Sequence, residues 1–536
     1  MSSPDDAHGP ASSTSAGAQL EWLGWDGRTL RWRLSAPAAV ATALCIDGTT
    51  FARYAVASGS AEFSCAFAFS PTGNDELEFG ICVDVASADS YGAIIGARWR
   101  VRFALAAPAG VDQWTQAPQW LAPLADTPQL PRRAWATLPD VAVVVPIHNA
   151  AGSVARCLEA LARWTPAPWV RLILIDDASS DAAIAPLLEQ HALRDNVEVV
   201  HQTENRGYTR TVNAGIALAG SADVVLLNSD TQVGPRWLES LRLAAYGDDT
   251  VGTVTAVSDN AGAFSVPELE QYCPIPERWD LPATQRAVLQ QAGLRFPELP
   301  TGNGFCMFVK RAVIERIGAM DADAFPSGYG EENDFCQRAI RAGFRNIIAG
   351  NVLVRHERSA SFGDARRAAL GVAGMAVLRE RYPQYESDVG ATLHGFDRRV
   401  LDYRVRRTYA GSDGRYATAP RARLLLVLDG GADVRAALAS ADPTLETFVV
   451  QQQPELRLCH ATPDGTITIV ASGSDARTDA GTACQLATWL LACAIELVST
   501  RGAGELGARV SARATELGIP AIDPFAAGAP GGKRGA

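Results

Sequence analysis

The stretch Val-Ala-Val-Val-Val at residues 141–145, which runs into Pro-Ile-His-Asn, decides the fold. Three more apolar runs follow it at residues 170–175, 197–200 and 224–227, and helix-like segments with spaced apolar residues separate the four runs. Short apolar strands that alternate with helices are typical of βαβ units, whose parallel strands are buried on both faces. We therefore predict a central α/β domain with a mostly parallel sheet and flanking helices.

Polar side chains follow three of these runs at the point where each run ends. They are Asn149, then Asp176 with Asp177, and then Asn228 with Asp230. In an open α/β sheet, ligands bind in the crevice outside the carboxyl ends of the strands. The sequence therefore predicts a ligand site built from residues that are far apart in the chain.

Asp177 and Asp230 each allow a functional and a local interpretation. The Asp177 carboxylate can accept hydrogen bonds from the imide N–H of a pyrimidine ring or from a ribose, whereas Ser179, Ser180 and Asp181 behind it are good helix-capping residues. The Asp230 carboxylate can bind a divalent cation that neutralises a diphosphate. Aspartate and asparagine are also common in turns, so both interpretations stay open at this point.

A second acidic cluster lies in Gly-Tyr-Gly-Glu-Glu-Asn-Asp at residues 328–334, directly before a helix-like segment. The carboxylates of Glu331, Glu332 and Asp334 raise one another's pKa where solvation is poor, which suits a general base. The same charges also suit the first turn of a helix, where the macrodipole favours them. His356 ends another apolar run, and it is either a structural histidine or a second ligand to a metal at Asp230.

Small and amide residues frame two loops that can approach a ligand. The first contains Asn205 and Gly207 and leads to Asn213, and the second is Thr-Gly-Asn-Gly at residues 301–304. Glycine lets a backbone come close to a ligand, although glycine and asparagine are also ordinary turn residues.

The composition argues against nucleic-acid binding and restricts how a bound phosphate can be held. The chain has 536 residues, of which 47% are hydrophobic and 20% are charged, and its net charge is −11. Nucleic-acid-binding proteins usually carry a basic footprint, so the acidic balance argues against that class. A bound phosphate must then be held by a metal ion or by backbone N–H groups rather than by net charge. Ten cysteines without C-x-x-C spacing, and no apolar signal segment, predict a cytoplasmic protein with reduced thiols.

Shifts in composition divide the chain into six predicted segments. Turn signals such as Asp-Gly separate short alternating runs in residues 19–107, which predicts a small all-β domain like a sandwich. The segments are a disordered tail (1–18), the β-sandwich-like domain (19–107), a Pro-rich linker (108–139), the central α/β domain (140–410), an α/β accessory domain (421–527) and a second disordered tail (528–536). The basic stretch 398–407 is either a solvated helix face or a peripheral contact with the inner face of the cytoplasmic membrane.

Taken in order, the motifs of the central domain resemble those of the family 2 glycosyltransferases, which are inverting enzymes with the GT-A fold. The resemblance covers about residues 140–382. The motifs are Val-Val-Val-Pro-Ile-His-Asn (143–149), Ile-Asp-Asp-Ala-Ser-Ser-Asp (175–181), Asn-Arg-Gly-Tyr (205–208), Leu-Leu-Asn-Ser-Asp-Thr (226–231), Thr-Gly-Asn-Gly-Phe (301–305), Gly-Tyr-Gly-Glu-Glu-Asn-Asp-Phe-Cys (328–336) and His-Glu-Arg-Ser-Ala-Ser-Phe-Gly (356–363). Within the family, the chain is similar to the bacterial rhamnosyltransferase-like branch, which builds surface polysaccharides.

The resemblance implies a substrate pair, a cofactor and a role for each matching position. The implied donor is a UDP- or dTDP-linked sugar, the acceptor is a hydroxyl of a glycan or a lipid-linked glycan, and the cofactor is Mg²⁺ or Mn²⁺. Glu332 matches the catalytic base, with Asp334 assisting on the acceptor side, and Asp230 and His356 match the metal ligands. The implied contacts are Pro146, Asn149, Asp177, Asn205, Gly207, Asn213 and Asn228 for the nucleotide sugar, and Thr301, Gly302, Asn303, Gly304 and Glu331 for the acceptor or sugar.

Two positions depart from the family pattern. Asn228 replaces the first carboxylate of the D-x-D metal motif, which leaves fewer charges on the metal and increases the dependence on His356. Glu332 stands where the family usually has aspartate, which moves the carboxylate outward by one methylene and leaves the base open between Glu332 and Asp334. Residues 421–527 resemble the amino-terminal half of a family 4 glycosyltransferase, and we expect an accessory or acceptor-side domain there.

Two other classes of function compete with a glycosyltransferase. One is a catalytically silent module that binds a sugar or a nucleotide. The other is a sugar nucleotidyltransferase, which also uses an α/β sheet and a metal. That class usually has a Gly-rich, basic phosphate loop after its first strand, and residues 146–152 contain neither lysine nor arginine.

Overall fold

The computed structural model of the chain divides into two compact units. One contains residues 1–127, 291–295 and 394–418, and the other contains residues 128–290, 296–393 and 419–536. The structure describes residues 19–25, 29–46, 49–56, 58–66, 76–84, 94–102, 137–292, 296–326, 328–358, 364–393, 396–410, 420–428, 437–438, 441–453, 455–461, 467–473, 486–487, 489–491, 493–500 and 504–522. Both predicted tails and residues 108–136 of the predicted linker lie outside these ranges, and the six predicted segments stay a prediction.

The first unit contains two antiparallel sheets. Three strands are ordered β1-β2-β5 and four are ordered β4-β3-β6-β7. The strands are β1 (Gln19–Trp25), β2 (Thr29–Ala36), β3 (Val40–Ile46), β4 (Thr49–Val56), β5 (Gly59–Ala66), β6 (Glu76–Asp84) and β7 (Ile94–Arg102). Trp32 and Leu34 alternate along β2 and are both fully buried, which is the burial that a period-2 pattern produces in a strand.

The first unit also contains the helix α10 (Phe396–Ala410), which carries the basic stretch considered for membrane contact. Arg398 is 1% exposed and forms an ion pair with Asp402. Arg404 is also buried and donates to the Ala292 carbonyl. These two arginines are therefore used inside the unit, which favours the structural interpretation at their positions.

The second unit is built around an eight-stranded sheet with the order β10-β9-β8-β11-β14-β13-β15-β12. Its strands are β8 (Val141–Ile147), β9 (Val170–Asp176), β10 (Val197–His201), β11 (Asp223–Leu227), β12 (Thr231–Gln232), β13 (Val251–Ser258), β14 (Cys306–Val309) and β15 (Arg345–His356). Strands β10, β9, β8 and β11 pair in parallel, whereas β14 pairs antiparallel with both β11 and β13. A mostly parallel sheet is what the apolar runs predicted.

Nine helices accompany this sheet in the described part of the chain. They are α1 (Ala151–Trp164), α2 (Ile184–His191), α3 (Tyr208–Leu218), α4 (Trp237–Tyr246), α5 (Leu281–Gln291), α6 (Arg311–Ile317), α7 (Glu331–Arg341), α8 (Asp364–Arg381) and α9 (Tyr385–Leu393). The buried core on one face of the sheet joins β8, β9 and β11 to α3 and α7, for example through Val144, Ile175, Ile216 and Phe335. This packing fixes α7 against the edge where the strand-end residues lie.

Residues 419–536 belong to the same unit and contain a second, five-stranded sheet with the order β19-β18-β17-β16-β20. Its elements are β16 (Arg423–Leu428), β17 (Glu446–Gln453), β18 (Glu455–Ala461), β19 (Ile467–Gly473), β20 (Leu497–Ser499) and the helix α11 (Gly504–Glu516). Polar contacts tie this region to the central one, since Arg286 pairs with Glu496 and Arg236 donates to the Leu517 carbonyl. Across the described ranges, none of the helices has the length and hydropathy that crossing a bilayer requires.

Candidate active site

One cleft collects most of the predicted site residues. It has a volume of about 390 Å³, within the usual range for small-molecule sites, and it opens where β8, β9 and β11 end. Ten predicted residues line it: Pro146, Asp177, Asn205, Gly207, Asn228, Asp230, Asn303, Glu331, Glu332 and His356. The strand-end rule thus brings together residues that are more than 200 positions apart in the chain.

The pair proposed to bind a metal is brought together by strand register. Strand β12 pairs antiparallel with β15 so that Thr231 lies opposite His356, and the Glu357 N–H donates to the Asp230 carbonyl. As a result, His356 Nε2 lies 3.3 Å from Asp230 Oδ1. The imidazole stacks on Phe305, with ring centroids 5.4 Å apart, so its plane is fixed.

The chemistry of this pair fits a shared cation. His356 Nδ1 lies 2.9 Å from the Asn260 carbonyl, which only accepts, so Nδ1 carries a proton and Nε2 is the ring nitrogen that can bind a cation. Nε2 and the Asp230 carboxylate oxygen face each other, and a proton or a cation between them satisfies both atoms. No group of three or more His, Cys, Asp or Glu side chains suited to a metal occurs within the described residues. A metal here would therefore be completed by substrate oxygens and water, as is usual for Mg²⁺.

Glu332 lies at the start of α7 and points into the cleft. Its Oε1 accepts from the Gly304 N–H at 3.0 Å. A Cβ at position 304 would lie 2.8 Å from that oxygen and 2.3 Å from the Tyr208 hydroxyl, so only glycine leaves room for this contact. The loop at residues 301–304 therefore orients the carboxylate that is predicted to be the base.

Glu331, the next residue toward the N-terminus, is 1% exposed and lies against Glu332. Its Oε2 accepts from the Gly330 N–H at 3.0 Å. Burial, and then the neighbouring Glu332 charge, raise the pKa of Glu331 well above its ordinary value, and a hydrogen bond to Glu332 acts in the same direction. Burial therefore favours the protonated form of Glu331, which donates a hydrogen bond to Glu332.

The raised pKa of Glu331 gives a stability that depends on pH. The folded protein holds this proton more tightly than the unfolded chain, so the contribution of Glu331 to stability is lost as pH rises above about 4.3, the ordinary pKa of glutamate. Glutamine cannot ionise, and we expect Glu331→Gln to gain stability relative to the wild type between pH 5 and pH 8. Urea unfolding at several pH values measures this difference. The exposed Glu380→Gln is the matched control, and an equal trend in both variants would contradict the assignment.

The side of the cleft predicted to bind the nucleotide is organised around Asp177. Its two carboxylate oxygens accept from the Arg206 N–H at 2.7 Å and from the Gly207 N–H at 3.0 Å. The carboxylate therefore holds the loop before α3 in place and still lines the cleft, where each oxygen keeps a further acceptor site. His148, which the motif analysis did not single out as a contact, lies beside it and within hydrogen-bond distance of Asn205.

Six predicted residues do not line the cleft: Asn149, Asn213, Thr301, Gly302, Gly304 and Asp334. Asn149 Oδ1 accepts from the backbone N–H groups of Ser180 and Asp181. Asn149 therefore shapes the loop after β9, whose residues were interpreted as helix-capping residues. Asn213 forms a reciprocal pair of hydrogen bonds with the backbone of Met320. Both asparagines support neighbouring loops in this geometry.

Thr301, Gly302, Gly304 and Asp334 lie behind the cleft wall. Thr301 Oγ1 accepts from Asn333 Nδ2 at 2.6 Å, and Gly302 packs against Met307 and Cys336. Asp334 is 0% exposed. Its carboxylate accepts from Arg338, Arg381 and Tyr382 at 2.8 Å each. This geometry does not favour the predicted acceptor-side role of Asp334, because its oxygens are used to join α7 to α8.

Three further side chains line the cleft and were missed as site residues from the sequence: Tyr208, Tyr329 and Arg358. Burial raises the pKa of the Tyr208 hydroxyl, and the nearby charges of Glu332, Glu331 and Asp230 raise it further, so this group stays a neutral donor. Tyr329 has φ 68° between two glycines that also have positive φ. Each of the three follows or lies within a quoted motif, so the signal was present but was assigned to neighbouring residues.

The mostly parallel sheet, its flanking helices and the strand-end cleft are those of a GT-A-type domain, as the sequence predicted. The family model described as "Glycosyl transferase family 2" matches residues 142–318. Residues 142–318 therefore match the family 2 glycosyltransferases that the sequence motifs resemble.

Two curated relatives and one solved structure illustrate the similarity. The chain is 28% identical over 249 residues to the pre-mycofactocin glycosyltransferase of Mycobacterium tuberculosis strain H37Rv, covering 46% of this chain and 48% of the relative. It is 27% identical over 278 residues to the succinoglycan biosynthesis protein ExoU of Rhizobium meliloti, covering 49% of this chain and 76% of that protein. Among solved structures it is similar to the mannosyltransferase PcManGT from Pyrobaculum calidifontis in complex with GDP-Man and Mn²⁺, at 21% identity and a TM-score of 0.36, over 54% of this chain and 79% of that one. The chain thus spans about half the length of the first of these relatives.

Proposed function

We propose that the chain is an inverting glycosyltransferase that moves a sugar from a UDP- or dTDP-linked donor to a hydroxyl of a glycan or lipid-linked acceptor. The observation that carries the proposal is the meeting of Asp177, Asp230, His356 and Glu332 in one cleft. The family 2 match supports the same reaction class. The name of the succinoglycan relative supports a place in bacterial polysaccharide synthesis. The rhamnosyltransferase-like branch, the family 4 likeness and a cytoplasmic location stay predictions.

The proposed mechanism is a single displacement at the anomeric carbon. Glu332 takes the acceptor hydroxyl proton while that oxygen attacks from the face opposite to the leaving group, and one displacement inverts the configuration. Glu331 keeps Glu332 oriented by donating a hydrogen bond to it. Asp177 and Asn205 bind the nucleoside, and Asp230 and His356 would hold a Mg²⁺ or Mn²⁺ ion, which supplies positive charge to the departing diphosphate when bound.

A donor screen tests the proposal and its two competitors. Purified full-length protein is incubated with UDP- and dTDP-sugars, Mg²⁺ or Mn²⁺ and glycan acceptors, and the released nucleoside diphosphate is measured. We expect diphosphate release that depends on the acceptor, with inverted anomeric configuration in the product by NMR. Release of inorganic pyrophosphate would instead identify a nucleotidyltransferase. Donor binding without release of any product would identify a silent binding module.

Loss of either proposed metal ligand is expected to weaken cation binding before it affects folding. Since the pair supplies only two protein ligands, we expect Asp230→Asn and His356→Ala each to lower Mn²⁺ affinity at least ~10-fold. Titration calorimetry with Mn²⁺ and UDP measures the affinity. His201→Ala is the matched control, because that exposed histidine also contacts an aspartate, Asp176, at 3.0 Å. Unchanged Mn²⁺ binding in both site variants would place the metal elsewhere or remove it from the proposal.

A further inference from the structure

The cleft wall is strongly acidic for a site that is proposed to bind an anion. Its lining residues include the carboxylates of Asp177, Asp230 and Glu332 beside the protonated carboxyl group of Glu331, and among the described residues Arg358 is the one guanidinium or ammonium group that lines the same cleft. Two like charges 4 Å apart repel each other by about 4 kcal/mol at an effective dielectric constant of 20. A nucleoside diphosphate therefore needs positive charge at the wall where its phosphates bind.

Arg358 is held on the same wall as the proposed metal pair. It lies two residues beyond His356, and its Nη1 donates to the Asn260 side-chain oxygen at 3.3 Å. The Asn260 carbonyl accepts from His356 Nδ1, so one asparagine positions both side chains. Glu357, between them, accepts from Ser153 and forms an ion pair with Arg156.

Within the described ranges no carboxylate forms an ion pair with Arg358, whereas Arg156 and Arg381 pair with Glu357 and Asp334. The backbone at Arg358 has φ 48°, a left-handed conformation that is uncommon for a residue other than glycine, asparagine or aspartate. A charged arginine held at a cleft wall without an acidic partner is suited to bidentate binding of phosphate oxygens.

We propose that Arg358 binds the diphosphate of the donor and stabilises the charge that develops on it as the sugar leaves. The inference rests on the proposed function. In the transfer, the acceptor oxygen forms a bond to the anomeric carbon, and the bond from that carbon to the phosphate oxygen breaks. The electron pair leaves with the diphosphate, and the acceptor proton goes to Glu332. Arg358 exchanges no atoms and only donates hydrogen bonds to the departing oxygens.

Asn228 supplies a carboxamide where the D-x-D motif has its first carboxylate. The Arg358 guanidinium is therefore more important in this chain than it would be beside a complete D-x-D motif. With one carboxylate fewer near the metal pair, the protein holds a divalent cation less firmly. Arginine is part of the chain and cannot dissociate, so it retains affinity for the diphosphate when the metal is removed. The binding of UDP should therefore survive chelation in part, and Arg358 should carry that residual affinity.

Nucleotide binding by the full-length protein tests the inference separately from turnover. Affinities for UDP, dTDP and uridine are measured by calorimetry with Mn²⁺ and again with EDTA, in the wild type, Arg358→Gln, Arg358→Lys and Arg355→Gln. Arg355 lies on β15 and is exposed outside the cleft, so it is the matched charge-removal control. We expect Arg358→Gln to weaken UDP and dTDP binding at least ~10-fold and leave uridine binding unchanged, with Arg358→Lys intermediate. In EDTA the wild type keeps a preference for UDP over uridine, and Arg358→Gln loses it.

Several results would overturn the inference. An equal change of UDP and uridine affinity in Arg358→Gln, no change of either affinity, or an equal loss of UDP affinity in Arg355→Gln would each count against it. Normal sugar transfer by the wild type together with normal UDP binding by Arg358→Gln would remove Arg358 and leave the proposed function standing. Selective loss of UDP binding without turnover of any donor would keep the diphosphate site and remove the glycosyltransferase. A wild type that binds neither UDP nor dTDP would contradict both.

Discussion

Glu332→Gln is expected to lower kcat by at least ~10², because glutamine keeps the shape of the side chain and cannot accept the acceptor proton. The hydrogen bond from the Gly304 N–H to Oε1 can persist in the variant, so the loop at residues 301–304 stays in place. Donor affinity should therefore change little while turnover falls. Initial rates of diphosphate release at saturating donor and acceptor, together with calorimetric UDP binding, separate the two effects.

Glu331→Gln is the matched comparison for this prediction. Glu331 is adjacent in sequence and buried, and its pKa is raised by burial and by the Glu332 charge, which favours its protonated, hydrogen-donating form. An amide can replace a neutral carboxyl group as a donor, and we expect a smaller loss of kcat than in Glu332→Gln. Near-normal turnover of Glu332→Gln, or a larger loss in Glu331→Gln, would reassign the base.

Asp334→Ala is expected to lower the free energy of unfolding by about 3 kcal/mol, because a buried carboxylate that accepts three hydrogen bonds is removed. Arg338 and Arg381 would lose their shared partner, and the joint between α7 and α8 would loosen. Urea unfolding monitored by circular dichroism measures the loss. Tyr382→Phe removes only one of the three donors and should cost about 1 kcal/mol.

The same variant decides between the two roles considered for Asp334. If the residue is structural, kcat per folded molecule should fall far less in Asp334→Ala than in Glu332→Gln. Assays are run at a temperature where unfolding curves show the variant to be folded. An unchanged urea midpoint combined with a loss of turnover equal to that of Glu332→Gln would return Asp334 to the catalytic machinery.

Much of the central fold follows from local patterns in the sequence. The apolar runs at residues 141–145, 170–175 and 224–227 are continuous rather than alternating. Continuous runs are typical of strands that are buried on both faces, so they predict a buried parallel sheet. The carboxyl ends of such strands share one edge, which is why the sequence alone predicts that Asp177, Asn228 and Asp230 belong to one site. Strand pairing confirms the sheet, and the cleft contains these residues.

Helical geometry explains why Asp334 was harder to place than Glu332. Residues two positions apart on an α-helix lie about 200° apart around its axis, so the two side chains face nearly opposite directions. Glu332 faces the cleft, and Asp334 faces Arg381 and Tyr382. The spacing shows that the two side chains point in different directions, but it does not show which of them faces the ligand.

By itself, the sequence determined the α/β class, the edge of the sheet that carries the site, and the chemical types of its side chains, because these depend on periodicity and strand ends. Only the tertiary structure decided which side chains contact one another. The register of β12 on β15 brings Asp230 to His356, and Asn260 holds His356 and Arg358 on one wall. Such contacts join segments that are distant in the chain, and their distances depend on how the strands and helices pack rather than on local spacing.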